Sequence, residues 1–115
     1  MLLGRIVRAV VRTLVVLAPL VASHVTSLRD LCKDAGIAEL SVFGSATRPD
    51  FTDTSDVDLI VRFQPGHTPS LIELGILQAR MTKILGRPVD LVTPNELHPR
   101  IRERVLGERT IIYGR

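Results

Sequence analysis

The sequence predicts one mixed α/β domain, and three observations carry that prediction. At 115 residues the chain can bury a single core but has no room for a large second domain. Apolar residues make up 45% and aromatics only 3%, so the core is built from Val, Leu and Ile. That composition suits a mixed α/β domain better than a large β-sandwich. Along the chain, short apolar runs bounded by turn residues alternate with stretches of helical periodicity.

Residues 1–25 differ from the rest and read as an apolar extension; residues 26–115 form the domain proper. Arg5, Arg8 and Arg12 at helical spacing precede an apolar run from Leu14 to Ala22. A signal peptide has this kind of start, with Val21-Ala22-Ser23 as a weak cleavage site. A membrane span needs about 20 apolar residues, and the arginines leave too few. A packed helix ended or kinked by Pro19, or a spurious upstream start, is the reading preferred here. Ser27 then caps a helix over 28 to about 35, with Gly36 at its stop. Residues 37–43, IAELSVF, read as a buried strand delivering Gly44-Ser45, and 46–55 as a short helical turn and loop.

Residues 55–63 alternate as a second strand, and residues two apart on a strand share a face, so Asp56 and Asp58 project together. From about 69 to 85 a broad apolar stripe predicts a helix closed by Gly86. VDLV at 89–92 is a third strand carrying Asp90. Thr93-Pro94-Asn95-Glu96 has the form of a capping box opening a last helix, which Pro99 delays or bends. RTIIY at 109–113 closes the chain as an edge strand.

Several function classes fall away on composition. The scarcity of aromatics removes the stacking platform of single-stranded nucleic-acid binders, and the +3 charge is modest. In PRIRERVLGER, Glu103 and Glu108 interrupt the arginines, the pattern of a solvent-facing helix. No direct nucleic-acid or membrane partner is expected. Cys32 is the lone cysteine, which excludes an internal disulfide framework, and its apolar neighbours make it a core residue. His24, His67 and His98 lack the spacing of a metal site.

What remains is the segment SVFGSATRPDFTDTSDVDLIVRF, in which ten residues separate Ser45 from Asp56. Gly44 allows close backbone approach at a tight turn and Ser45 adds a hydroxyl, together an anchor for phosphate. Asp56 and Asp58 offer hard oxygen ligands suited to Mg²⁺ shared with substrate phosphates. Asp90 is polar inside an apolar strand, where an unpartnered aspartate is costly, so it calls for a metal, a partner or a strand end open to water. As a base it could take a proton from an acceptor hydroxyl.

Gly44-Ser45, ten residues, Asp56-x-Asp58, then Asp90 on a later strand resembles the minimal nucleotidyltransferase domain of the DNA polymerase β superfamily. The phrase FGS…SDVDLIV is the most specific part, and the likeness covers about 26–113. The resemblance implies a nucleotidyltransferase fold with a small mixed β-sheet. It implies ATP as substrate and Mg²⁺ as cofactor, with transfer of a nucleoside monophosphate to a hydroxyl and release of pyrophosphate. By the same resemblance Gly44, Ser45 and Arg48 hold the nucleotide, and Asp56, Asp58 and Asp90 are catalytic and metal-binding. Members of this size are similar to MntA-like antitoxins that add AMP to a tyrosine of a HEPN ribonuclease toxin, which implies a hetero-oligomer with that partner. The neighbouring gene would then encode a small helical protein with an Arg-x-x-x-x-His motif. Ala46-Thr47-Arg48-Pro49 departs from the family's Ala-Arg-Gly-like continuation, and Pro49 reshapes that loop. Antitoxin action by binding alone, without catalysis, is the alternative. An ATP-dependent site with a reduced Cys32 points to the cytoplasm, which argues against the signal-peptide reading.

Overall fold

The computed structural model describes residues 19–44 and 56–114. In chain order these form α1 (Pro19–Ser23), α2 (Val25–Asp34), β1 (Ile37–Phe43), β2 (Val57–Phe63), α3 (Leu71–Leu85), β3 (Val89–Val92), a 3-10 turn (Pro94–Glu96), α4 (Pro99–Glu108) and β4 (Thr110–Tyr113). The strands make one sheet in the order β3-β2-β1-β4. Pairs β1–β2 and β1–β4 are antiparallel, whereas β2–β3 is parallel, so the sheet is mixed.

Side-chain parity decides which face each residue serves. Val57, Leu59 and Val61 of β2 join Leu40 and Val42 of β1, Val89 and Leu91 of β3, and Ile112 of β4 in the core. Helices cover that face with Val21 of α1, Leu28, Leu31 and Cys32 of α2, and Leu77, Met81 and Leu85 of α3. The intervening residues, among them Glu39, Ser41 and Phe43 of β1 and Asp58, Ile60 and Arg62 of β2, point to the opposite face. Parallel β2 and β3 need a crossover, and α3 supplies it. The sequence predicts its stop at Gly86, and the structure adds a cap at its start. The Ser70 hydroxyl accepts the Glu73 amide at 3.1 Å, and Gly86 takes the left-handed conformation at φ 67° with its N–H donating to the Thr82 carbonyl.

Two helix starts differ from the sequence reading. Ser27 does not cap α2, which begins at Val25. α1 ends at Ser23 with only His24 between the two helices, and the His24 carbonyl already accepts the Leu28 amide, so the preceding turn supplies the start that a serine cap would otherwise provide. Pro19 is the first described residue of α1. The capping box at Thr93 and Glu96 forms, with the Thr93 amide 3.3 Å from Glu96 Oε1, but it governs only the three-residue 3-10 turn. His98 is held extended by the proline that follows it and caps α4, its Nδ1 accepting the Arg100 amide at 3.1 Å. Pro99 thus sets a new helix start.

Because β3 and β4 occupy opposite edges, residues 93–109 must cross the sheet from one side to the other. Arg102 secures the beginning of that crossing with hydrogen bonds to the carbonyls of Pro94 and Leu97 at 2.9 and 3.0 Å. α4 buries none of its residues, in keeping with its mixed charges. Among the described residues no helix is long and apolar enough to cross a membrane.

Candidate active site

Strand pairing assembles the acidic residues. In the parallel β2–β3 ladder Asp58 stands directly opposite Asp90, so two strands about 4.8 Å apart carry carboxylates on the same face. Asp56 precedes β2 by one residue and shares the parity of Asp58. The backbone fastens this end of the sheet, since the Val57 N–H between the two aspartates donates to the Pro88 carbonyl at 2.9 Å. Gln78 of α3 adds a second hold, its Oε1 accepting the Leu91 amide next to Asp90 at 3.1 Å. Asp56 and Asp90 are exposed and Asp58 is half-buried. Asp90 therefore meets water at the open face rather than being enclosed in the apolar strand.

Gly44 lies against this group. In the β1–β2 pair Phe43 is the register partner of Asp58, which brings the next residue beside the Asp58 side chain. Gly44 has φ 71°, the left-handed region that glycine enters without a Cβ penalty. A Cβ built there would overlap Asp58 Oδ2 and lie 3.3 Å from its Cγ. The missing side chain of Gly44 is thus the space that the Asp58 carboxylate occupies.

Ser45, Arg48 and Pro49, and the turn expected over 46–55, lie outside the described residues. Among the described residues, no three His, Cys, Asp or Glu side chains converge into a ready-made metal cage. Asp56, Asp58 and Asp90 share a face without closing on one point. Such an open array of hard oxygens fits Mg²⁺, which keeps several waters and relies on substrate phosphates for part of its shell.

Farther along the same face is a charged cluster that the sequence reading left out. Glu39 is 6% exposed in the middle of β1. Its Oε1 accepts Arg109 Nε at 3.0 Å and lies 2.9 Å from Arg109 Nη2, and its Oε2 accepts Arg62 Nη2 at 3.1 Å. Burial alone would raise the Glu39 pKa, but hydrogen bonds and charge from Arg62 and Arg109 outweigh it and hold the carboxyl below its ordinary value. Arg109 also donates to the Leu106 carbonyl. The sequence signal was a glutamate inside IAELSVF, which required a cation, but its partner stands 70 residues away. Arg62, on the same face as the aspartates, is engaged with Glu39.

Residues 25–112 match the nucleotidyltransferase domain family. A protein adenylyltransferase, MntA, of Thermococcus cleftensis is 35% identical over 85 residues, covering 74% of this chain and 82% of that protein. A solved structure of a candidate minimal nucleotidyltransferase is 35% identical with a TM-score of 0.66, covering 77% of this chain and 89% of that one. An antitoxin in complex with a tri-AMPylated HEPN toxin of Shewanella oneidensis shares the fold at 20% identity and a TM-score of 0.62, over 82% of this chain and 72% of that one.

Proposed function

The chain belongs to the nucleotidyltransferase domain family, and on that footing we propose that it is an antitoxin transferring AMP from ATP to a tyrosine hydroxyl of a HEPN-type toxin. The observation that carries this reading is the register of β2 and β3, which sets Asp58 across from Asp90 with Asp56 on the same face and Gly44 alongside. Relatives named as protein adenylyltransferases support the reaction type, and a structural neighbour pairing an antitoxin with a tri-AMPylated HEPN toxin supports the partner.

In this reading Gly44 and Ser45 receive the triphosphate, and Arg48 reaches a phosphate oxygen. Asp56 and Asp58, with Asp90 as third carboxylate, hold Mg²⁺. The bound metal supplies charge neutralisation on the phosphates and a lower pKa for the attacking hydroxyl. The tyrosine oxygen bonds to the α-phosphorus as the bond to the bridging oxygen breaks, and pyrophosphate leaves. In the same reading Asp90, which is exposed, completes the metal shell or takes the tyrosine proton. Dependence on ATP, together with a free Cys32, is the basis for expecting this chemistry in the cytoplasm.

The decisive experiment incubates the full chain with its partner, Mg²⁺ and α-labelled ATP. Wild type labels the partner, and the Asp56→Asn/Asp58→Asn double variant does not. Persistent labelling by the double variant overturns the assignment. Toxin neutralisation undiminished in that variant replaces catalysis with binding alone.

A further inference from the structure

The α3 helix is apolar on two sides, and the core uses only one. Leu77, Met81 and Leu85 are buried against the sheet. Leu71, Ile72 and Ile76 are 87%, 75% and 56% exposed. Ile72, Ile76 and Ala79 follow helical spacing along the outward side, and an apolar stripe of this kind on a soluble helix marks a contact surface. Gly75 beside them has no atom within 4 Å of where a Cβ would stand, so a second backbone can approach closely.

Charge on this helix names the occupant. Glu73 and Arg80 are seven residues apart, two helical turns, and so lie on the same flank of the stripe. When two such helices pack antiparallel about a two-fold axis between Ile76 and Leu77, each flank meets its own copy in reverse order. Glu73 of one chain then faces Arg80 of the other, and the contact occurs twice. A parallel pairing in register would carry this flank to the opposite side of the seam in the partner, so Glu73 and Arg80 would not meet. The same flank borders a hollow of about 300 Å³, lined in part by Phe63, His67 and Ile76, which leaves room for partner side chains.

We infer that two copies of this chain associate through α3, antiparallel, with Ile72 and Ile76 in the contact and reciprocal Glu73–Arg80 pairs at its border. The arrangement is isologous, as in most small homodimers. Within one chain Glu73 lies 3.2 Å from His67 Nε2, but both side chains are more than a third exposed and such a pair adds little. The carboxylates occupy the opposite face of the sheet from α3, so association leaves the candidate active site open. The inference therefore stands independently of the proposed reaction.

Sedimentation velocity on the full chain tests it across the micromolar range. Wild type moves from monomer to dimer mass as concentration rises, whereas Ile72→Lys/Ile76→Lys remains monomeric with unchanged helical circular dichroism. Glu73→Lys and Arg80→Glu each weaken association at least about tenfold, since each sets like charges across the contact. Mixed in equal amounts, the two charge variants recover a dimer, because every facing pair is then opposite in sign. A variant that had merely lost its fold could not recover in the mixture. Wild type monomeric at every concentration, a lysine double variant that still dimerises, or a mixture without recovery overturns the inference. So does finding that a different protein, and not a second copy, covers Ile72 and Ile76.

Discussion

Replacing Gly44 by alanine tests the link between backbone conformation and the acidic group. At φ 71° an added side chain costs about 1–2 kcal/mol through its clash with the neighbouring carbonyl. The new Cβ would also overlap Asp58 Oδ2, while standing 3.3 and 3.5 Å from Asp58 Cγ and Cβ. Rotation of the carboxylate relieves that overlap at about 0.5–1.5 kcal/mol for a side chain forced off its rotamer. Together the loss is roughly 1.5–3.5 kcal/mol, a drop in urea midpoint of roughly 1–2 M for a domain of this size. The rotation also moves a proposed metal ligand, and a displacement of about 1 Å at a reacting centre costs about 100-fold in rate. Gly36→Ala is the matched control. Gly36 has φ 70°, yet its nearest neighbour to an added Cβ is His67 Cγ at 4.0 Å, so only the backbone cost applies. Urea unfolding should show both variants destabilised, Gly44→Ala more so, and nucleotide transfer lost only in Gly44→Ala. Wild-type transfer by Gly44→Ala, or equal transfer loss in both variants, would refute the reasoning.

Glu39→Gln leaves Arg62 and Arg109 without their anion. Arg62 is half-exposed and its share is small, but Arg109 is largely buried, so the loss at neutral pH is about 2–3 kcal/mol by urea unfolding. Since the Glu39 pKa is lowered on folding, the unfolded chain binds the proton more readily. The contribution is complete above the ordinary value of 4.5 and disappears as pH falls through the depressed folded value. The gap between wild type and Glu39→Gln should hold steady from pH 7 to about 4.5 and narrow below; a gap that widens in acid would contradict the ion pairing. Cys32 is fully buried and its thiol is pushed up from 9.0 to about 12 by that burial. Ionisation alone then slows its alkylation about 1000-fold at pH 8, and iodoacetamide should label it only once urea unfolds the chain. Rapid labelling of the native protein would show that α2 opens far more often than its packing implies.

Sequence legibility followed the range of the interactions concerned. β1, β2 and β3 were readable because a strand's apolar parity is local, and the same parity placed Asp56 with Asp58 before any coordinates. α3 was readable to within two residues because its apolar stripe is periodic and Gly86 acts within a single turn, although the Ser70 cap was not singled out. The start of α2 was not, because the preceding helix α1, and not Ser27, leads into it. Asp90 was singled out for being polar among apolar neighbours, but only the parallel register shows that it stands opposite Asp58. Glu39 had the same kind of local signal, and its partner Arg109 could be found only through the pairing of β1 with β4. The space that Gly44 yields to Asp58 likewise depends on the pairing of β1 with β2.

The position of β4 has a consequence for a chain still being made. β1 is an interior strand in the finished sheet, yet its second neighbour is the last of the four described strands to be synthesised. Until residues 110–113 emerge, one side of β1 is a bare edge with unpaired amides and carbonyls, the kind of template on which nascent chains aggregate. Glu39, at the midpoint of that strand, puts a negative charge on it throughout the interval. The charge resists burial against a neighbouring chain, and Arg109 neutralises it just before β4 arrives to close the edge. The same glutamate that joins the ends of the finished fold thus guards its central strand while the fold is incomplete.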